Sequence, residues 1–245
     1  SLNQMLYEGP CLLPELVKIL MRFRCRKYAF VADVQQAFLQ VEVPEADRDY
    51  LRTLWVKNFD PTQSYDVSPA FELHELRFTR CVFGVTSSPF HLMATFRHYL
   101  SKYSDDSLDV VQEILKSMYV DDMVSGADSV KEACHLYLEA RRMLREGGFN
   151  LRKFATNSKQ LNTLVSTSIG NNEFSGDTST TMSYSEVTQP SIERPQGGLE
   201  SKVLGVLWSR EDDKLVFRFN TFLAIAKTIP FTRRGLLQLI ARLYD

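Results

Sequence analysis

Histidine and cysteine are scarce in this chain, four of each in 245 residues, and the scarcity removes several kinds of chemistry. Cys11, Cys25, Cys81 and Cys134 stand apart, with no CxxC and no Cys/His pairing. Four reduced thiols fit that pattern better than a disulfide framework or a zinc site. No apolar run approaches the roughly 20 residues of a membrane span, and Ser1 to Glu8 lack the basic-then-apolar order of a signal peptide. The chain reads as soluble and intracellular, most simply cytoplasmic, with no membrane partner. An excess of charge is missing too: 29 Lys and Arg against 30 Asp and Glu leave a net charge of -1. Taken alone, that argues mildly against a nucleic-acid partner. There is no initiator Met and no internal repeat, and the end at Asp245 follows an amphipathic run, which suits a segment of something longer.

What is present is apolar surface, 44% of residues with sixteen Phe and ten Tyr, enough for one large or two modest domains. Leu16, Ile19, Leu20 and Phe23 recur at helical spacing between Pro14 and Arg26, and Lys18, Arg22 and Arg26 step by four along another face. Lys27 to Val34 is a buried strand with an aspartate at its end. Thr53 to Val56 and Phe71 to Val82 are two more strands around the turn-rich stretch 60–69. Ser88 and Pro89 open a helix, as cap and first turn, and Leu108 to Lys116 is another. Tyr119-Val120-Asp121-Asp122 then joins two short strands in a tight hairpin. Asp128 caps a helix that the Gly147-Gly148 pair stops, and Phe149 to Phe154 returns to strand. From Asn157 the composition turns rich in Ser and Thr, which predicts a mobile insertion over 157–200. Lys202 to Trp208 and Lys214 to Phe219 form a last hairpin around Glu211-Asp212-Asp213, before a helix from Thr232 to Tyr244.

Without the insertion, the order strand, helix, strand, strand, helix, strand is that of a split βαβ (ferredoxin-like) α+β fold. Its first and third strands lie side by side at the centre, so Asp33 can meet Asp121. Carboxylates gathered at strand ends repel one another, and a fold keeps them chiefly where a cation neutralises them. Oxygen ligands without His or Cys select Mg²⁺, with Mn²⁺ as the other choice. Two such ions roughly 3.5 to 4 Å apart clamp the attacking and leaving oxygens of a phosphoryl displacement. The plainer alternative for Asp121-Asp122 is a solvated turn, and for Asp33 a strand-end carboxylate capping a turn.

Five segments decide between these readings: Asp33-Val34-Gln35-Gln36-Ala37-Phe38, Phe83-Gly84-Val85-Thr86-Ser87-Ser88-Pro89-Phe90, Tyr119-Val120-Asp121-Asp122, Gly148-Phe149-Asn150-Leu151-Arg152-Lys153 and Leu204-Gly205-Val206-Leu207-Trp208. Their order and spacing resemble the palm motifs of reverse transcriptases over nearly the whole chain. SLNQML followed by GPCLLPELVKILMRFR, GGFNLRKFATNS and the ending TRRGLLQLIARLYD are most similar to the Bel/Pao family of long-terminal-repeat retrotransposons. The resemblance implies an RNA-directed DNA polymerase palm over 27–156, with fingers sequence inserted at about 44–82. It further implies partial fingers over 1–26, a primer-grip-like hairpin over 201–220 and the start of a thumb over 221–245.

The same resemblance supplies roles. Asp33 and Asp121 hold two Mg²⁺ ions, Asp122 shapes the site, and the Val34 carbonyl is a further ligand. One ion lowers the pKa of a primer 3′-hydroxyl; the other holds the triphosphate and neutralises the departing pyrophosphate. Phe38 stands where the family places a steric gate against ribonucleotides, although any Phe is first a candidate for the core. Phe83, Gly84 and Tyr119 border the nucleotide, and Phe83 replaces the Gln of retroviral enzymes. Lys153 matches the basic residue that protonates or neutralises pyrophosphate, with Arg152 beside it as the other candidate. Leu204, Gly205 and Trp208 belong to the primer grip, in what is otherwise an ordinary buried strand. The partners implied are an RNA or DNA template with its primer and deoxynucleoside triphosphates. The upstream basic strand that grips the triphosphate in the family has no counterpart.

The charge distribution suits such partners better than the sum does. Lys18, Arg22, Arg24, Arg26 and Lys27 lie between Glu15 and Asp33 without an acid, and Lys214 to Arg242 likewise holds cations alone. Segregated cations can follow a phosphate backbone, although a solvated helix face explains any one cluster. Two alternatives stand beside the polymerase. One is a catalytically inactive retroelement fragment; the other is a nucleic-acid-binding module that keeps the palm fold, for which the aromatic RNA-recognition signature is missing.

Overall fold

Tyr28–Val34 forms β1, and its alternation decides how the rest is arranged. Phe30, Ala32 and Val34 are buried on one face, while Asp33 belongs to the other. The structure, a computed structural model, describes residues 1–57, 72–103, 107–170, 200–217, 220–230 and 232–241. It divides into two units, Ser1–Thr178 and Ser179–Asp245. It is mixed α and β with antiparallel sheets.

The first unit is organised by a four-stranded sheet. With β1 run β4 (Met118–Tyr119), β5 (Asp122–Ala127) and β6 (Leu151–Thr156), in the order β4-β5-β1-β6 and antiparallel throughout. The first and third strands of the expected series are thus neighbours at the centre. α3 (Ser88–Leu100), α4 (Leu108–Ser117) and α5 (Val130–Glu146) supply the helical side of the core, where Phe96 meets Phe149 at 4.5 Å and Tyr137 meets Phe154 at 4.3 Å between ring centroids. Residues three or four apart on α5, Ala133, Tyr137 and Ala140 among them, are buried as an amphipathic stripe requires. α2 (Leu16–Cys25) buries Ile19 and Phe23 and lies against β5. A short α1 (Leu2–Met5) precedes it and buries nothing. Two short 3₁₀ helices, Ala37–Gln40 and Glu45–Tyr50, lead to a separate hairpin of β2 (Arg52–Val56) and β3 (Leu73–Arg77). Most of that hairpin is exposed.

Several expectations need correction. Asp128 does not cap α5: the Ser129 hydroxyl accepts from the Glu132 N–H at 3.2 Å, and Asp128 pairs instead with Arg26 at 2.9 Å. Ser88 is already inside α3, its hydroxyl donating to the Val82 carbonyl at 2.8 Å. β3 is shorter than the strand expected from Phe71 to Val82, and Phe71 and the turn-rich stretch 60–69 lie outside the described residues. The polar segment after Asn157 begins as α6 (Lys159–Gly170). Leu161 and Val165, one turn apart, bury themselves in the core, and the Ser158 hydroxyl accepts from the Leu161 N–H. Ser and Thr richness hid two well-spaced apolar residues. The rest of the expected insertion, 171–199, lies outside the described residues.

In the second unit β7 (Glu200–Val203), β8 (Val206–Ser209) and β9 (Lys214–Val216) make a three-stranded meander. The run Leu204 to Trp208 is therefore not one strand. Leu204 at φ 49 and Gly205 at φ 86 are a two-residue turn, the backbone a tight hairpin asks of both central residues. α7 (Asn220–Thr228), which the sequence reading lacked, and α8 (Arg233–Ala241) follow. The expected extension of the last helix to Tyr244 lies outside the described residues.

Candidate active site

At the end of β1 the pairing register sets Asp33 directly opposite Asp122 of β5. Opposed residues share a face, with Cβ atoms roughly 4.5–5.5 Å apart, and like charges so placed are destabilising. The sheet nevertheless holds them. Asp121 joins them from the two-residue turn between β4 and β5: its carbonyl accepts from the Val34 N–H at 2.7 Å, so the turn is bonded to the end of β1. On the other side the Gln35 N–H donates to the Asn150 carbonyl at 2.9 Å. The end of β1 is thus tied to the turn before β5 and to the residue before β6.

Backbone strain concentrates here. Of the non-glycine residues with positive φ, Gln36 (50), Val120 (58) and Lys153 (52) flank the three carboxylates. A branched residue such as Val is a true outlier there, and strain of this kind persists only where surrounding structure over-determines it. In β6 the strain coincides with an irregularity: the register against β1 slips between Val31 and Asp33, leaving one extra residue on β6 beside Lys153. Bulges of this sort re-aim side chains. Lys153 Nζ donates to Asp33 Oδ2 at 2.9 Å, which answers which of Arg152 and Lys153 reaches the acids. The other Asp33 oxygen, Oδ1, is buried with no hydrogen-bond partner.

Electrostatics follow from this crowding. Burial first, then the charges of Asp121 and Asp33, push the Asp122 carboxyl up to about 6, against partial relief from Lys153. Burial raises Asp121 as well, with the Asp33 charge adding to it. The donor set contains only oxygen, carries excess negative charge and includes an orphaned buried carboxylate oxygen, a combination that suits a hard divalent cation. Among the described residues no three His, Cys, Asp or Glu side chains are gathered closely enough to hold a metal as they stand. Lys153 meanwhile neutralises Asp33.

The remaining expected residues fall into three groups. Tyr119 is half-buried opposite Asp122. Phe38 is buried in the core and stands edge-on to Phe83, ring centroids 4.7 Å apart, while Phe83 itself is 69% exposed. The outward ring is therefore Phe83, with Phe38 as its support; Gly84 follows at φ 85. Trp208 is buried in the second unit with its indole N–H on Asp213 at 3.0 Å, and Leu204 and Gly205 form the turn already described.

The basic face of α2 is less available than the sequence implies. Arg22 donates to the Lys116 carbonyl, Arg26 pairs with Asp128, Lys18 with Glu15, and Lys27 lies over the Tyr28 ring. Arg22 and Arg26 fasten the α2 segment to other elements, while Lys18 and Lys27 make only local contacts. Two polar features had no counterpart in the sequence reading. Glu113 accepts from the buried Ser117 and Ser125 hydroxyls at 3.0 and 2.9 Å, joining α4 to β5. Asn3 binds the backbone of the loop after Phe83. Their partners are far apart in the chain or small, so no local pattern marks them. Compared with known proteins, the chain matches no family model and no curated protein. Among the described residues no helix is long and apolar enough to cross a membrane.

Proposed function

We propose that this chain is the palm-centred part of an RNA-directed DNA polymerase from a Bel/Pao-like retrotransposon polyprotein, transferring a nucleotidyl group from a deoxynucleoside triphosphate to a primer 3′-hydroxyl. The observation that carries the reading is the cross-strand pair Asp33 and Asp122, with Asp121 beside it in a strained turn. A sheet gains nothing from opposed carboxylates, and the cost is intelligible if the acids serve a cation and a reaction. Motif order and the neighbourhood of Lys153 and Asp33 add support.

In this reading Asp33, Asp121 and the Val34 carbonyl hold two Mg²⁺ ions, with Asp122 setting the local charge. When bound, the ions supply acidification of the 3′-hydroxyl and neutralisation of the leaving pyrophosphate. The primer 3′-hydroxyl gives up its proton to solvent water, its oxygen bonds to the α-phosphorus, the bond from that phosphorus to the bridging oxygen breaks, and pyrophosphate leaves. Asp33 and Asp121 fix where that charge is balanced. Lys153, freed from Asp33, turns its ammonium to the pyrophosphate as charge or proton donor. Phe83, backed by Phe38, offers an apolar surface to the sugar and base. The β2–β3 hairpin takes the place of fingers, the turn at Leu204-Gly205 with Trp208 that of the primer grip, and α7 with α8 that of the first part of a thumb. Template, primer and deoxynucleotides are the partners.

Primer extension on an RNA template tests this directly. Extension that needs Mg²⁺ or Mn²⁺, stops with a chelator and is lost in Asp33→Asn supports the proposal. A folded parent chain that binds primer–template yet extends nothing with either ion favours the inactive nucleic-acid-binding alternative.

A further inference from the structure

The loop of residues 83–87 carries Phe83 and leads into α3, and its shape is held from a distant part of the chain. Asn3 uses both ends of its side-chain amide on it: Nδ2 donates to the Gly84 carbonyl at 2.7 Å, and Oδ1 accepts from the Thr86 N–H at 3.1 Å. Gly84, whose carbonyl takes the first of these bonds, sits at φ 85, and a Cβ there would meet nothing within 4 Å. Glycine is needed for the backbone angle and not for room. Asn is suited to this double role because its amide carries donor and acceptor side by side. α1 buries no residue of its own, so the clamp is no by-product of core packing. Immediately before the clamped carbonyl, Phe83 is largely exposed yet seated edge-on against the buried Phe38.

We propose that Asn3 is a positioning residue that holds the 84–86 backbone so that the exposed Phe83 ring is presented to the sugar or base of an incoming nucleoside triphosphate. The inference deepens the polymerase reading and rests on it. Phe83 reaches its seat from a loop whose one glycine is free to rearrange, and each amide bond removes part of that freedom before substrate arrives. Loosening the clamp lowers the fraction of molecules ready to bind, which raises the apparent KM and leaves the chemical step alone.

The test compares Asn3→Ala with Met5→Ala in the full chain, Met5 being 86% exposed on the same short helix. Asn3→Ala is expected to speed amide hydrogen exchange at Thr86 and to raise the deoxynucleotide KM by about 3- to 10-fold, the worth of one or two net hydrogen bonds. Turnover and unfolding midpoint stay within about twofold and a degree or so of the parent, and Met5→Ala changes neither exchange nor KM. Faster exchange with an unmoved KM would overturn the positioning role. Unmoved exchange would overturn the clamp itself. A parent chain with no extension at all overturns the polymerase reading and this role with it, a failure told apart because it lies in the parent and not in the variant.

Discussion

Two hairpins in this chain turn on adjacent aspartates, and they use them in opposite ways. In the β4–β5 hairpin, Asp121 and Asp122 crowd a third carboxylate, Asp33, and burial pushes both of their pKa values up. In the β8–β9 hairpin, Glu211 and Asp212 face solvent and Asp213 accepts from the indole of the buried Trp208. Each contains a non-glycine residue at positive φ: Val120 in the first, Asp213 in the second. An Asp tolerates that region through local hydrogen bonding, whereas a Val has no such compensation. The second hairpin is ordinary turn chemistry. The first holds acids and strain that local structure does not reward, and the difference is made by the strand alongside, which brings Asp33.

The comparison is broken or sharpened most strongly by activity. Asp121→Asn is expected to lower primer extension by at least about 10³-fold, the scale of removing one preorganised electrostatic group, with the far-ultraviolet spectrum unchanged. Asp212→Asn should leave extension within about twofold. Equal effects in the two hairpins would end the claim that they differ in kind.

Stability should separate them by sign. Burial and the neighbouring acids push the Asp122 carboxyl up to about 6 in the folded chain, from 3.8 when unperturbed. Between those values the folded protein keeps a proton that the unfolded chain has lost, so stability falls as pH rises through the window and stays reduced above it. Asp122→Asn removes this penalty. A gain on the order of 1–3 kcal/mol is expected at about pH 7.5, fading toward pH 4, in urea titrations without divalent ions. Asp213→Ala should instead cost the second unit about 1–2 kcal/mol, because the buried indole N–H loses its acceptor; Trp208 fluorescence reports it. Destabilisation by both substitutions would show that Asp122, too, is merely structural.

The sequence made the central sheet legible because each strand carried its own signal. β1 is a β-branched and aromatic run, β4 and β5 meet at a pair of turn-forming acids, and Gly147-Gly148 stops α5 before β6. That Asp33 comes to the Asp121-Asp122 hairpin follows from strand order; that its register partner is Asp122 does not. Less legible was anything set by a single distant contact. Nothing local to Asp128 tells it to leave the capping position to Ser129, since its partner Arg26 belongs to another element. Leu161 and Val165 were too few, among Ser and Thr, to announce α6. Leu204-Gly205 looks like strand in the sequence because flanking apolar residues outweigh the glycine, whereas it is a turn. Within the candidate site, the bulge that lets Lys153 rather than Arg152 reach Asp33 depends on a register slip between strands more than a hundred residues apart in the chain. No periodicity encodes that.

The smallest expected effect concerns how three acids remain together with no cation between them. Lys153 is 60% exposed at its side chain and Asp33 27%, so their ion pair is a partly solvated one of modest strength. If the ammonium acts as a counter-ion that a divalent cation displaces, Lys153→Met leaves Asp33 Oδ2 free and tightens Mn²⁺ binding, measured by electron spin resonance without nucleotide, by about 2- to 5-fold. Arg152→Met removes the same charge one residue away and is expected to change affinity less, which separates the specific pair from the general field. Weaker binding after Lys153→Met would mean that the lysine holds Asp33 in its ligating orientation. The Asp121-Asp122 hairpin would then owe its difference from the Asp212-Asp213 hairpin to a scaffolded carboxylate and not to an exchangeable charge.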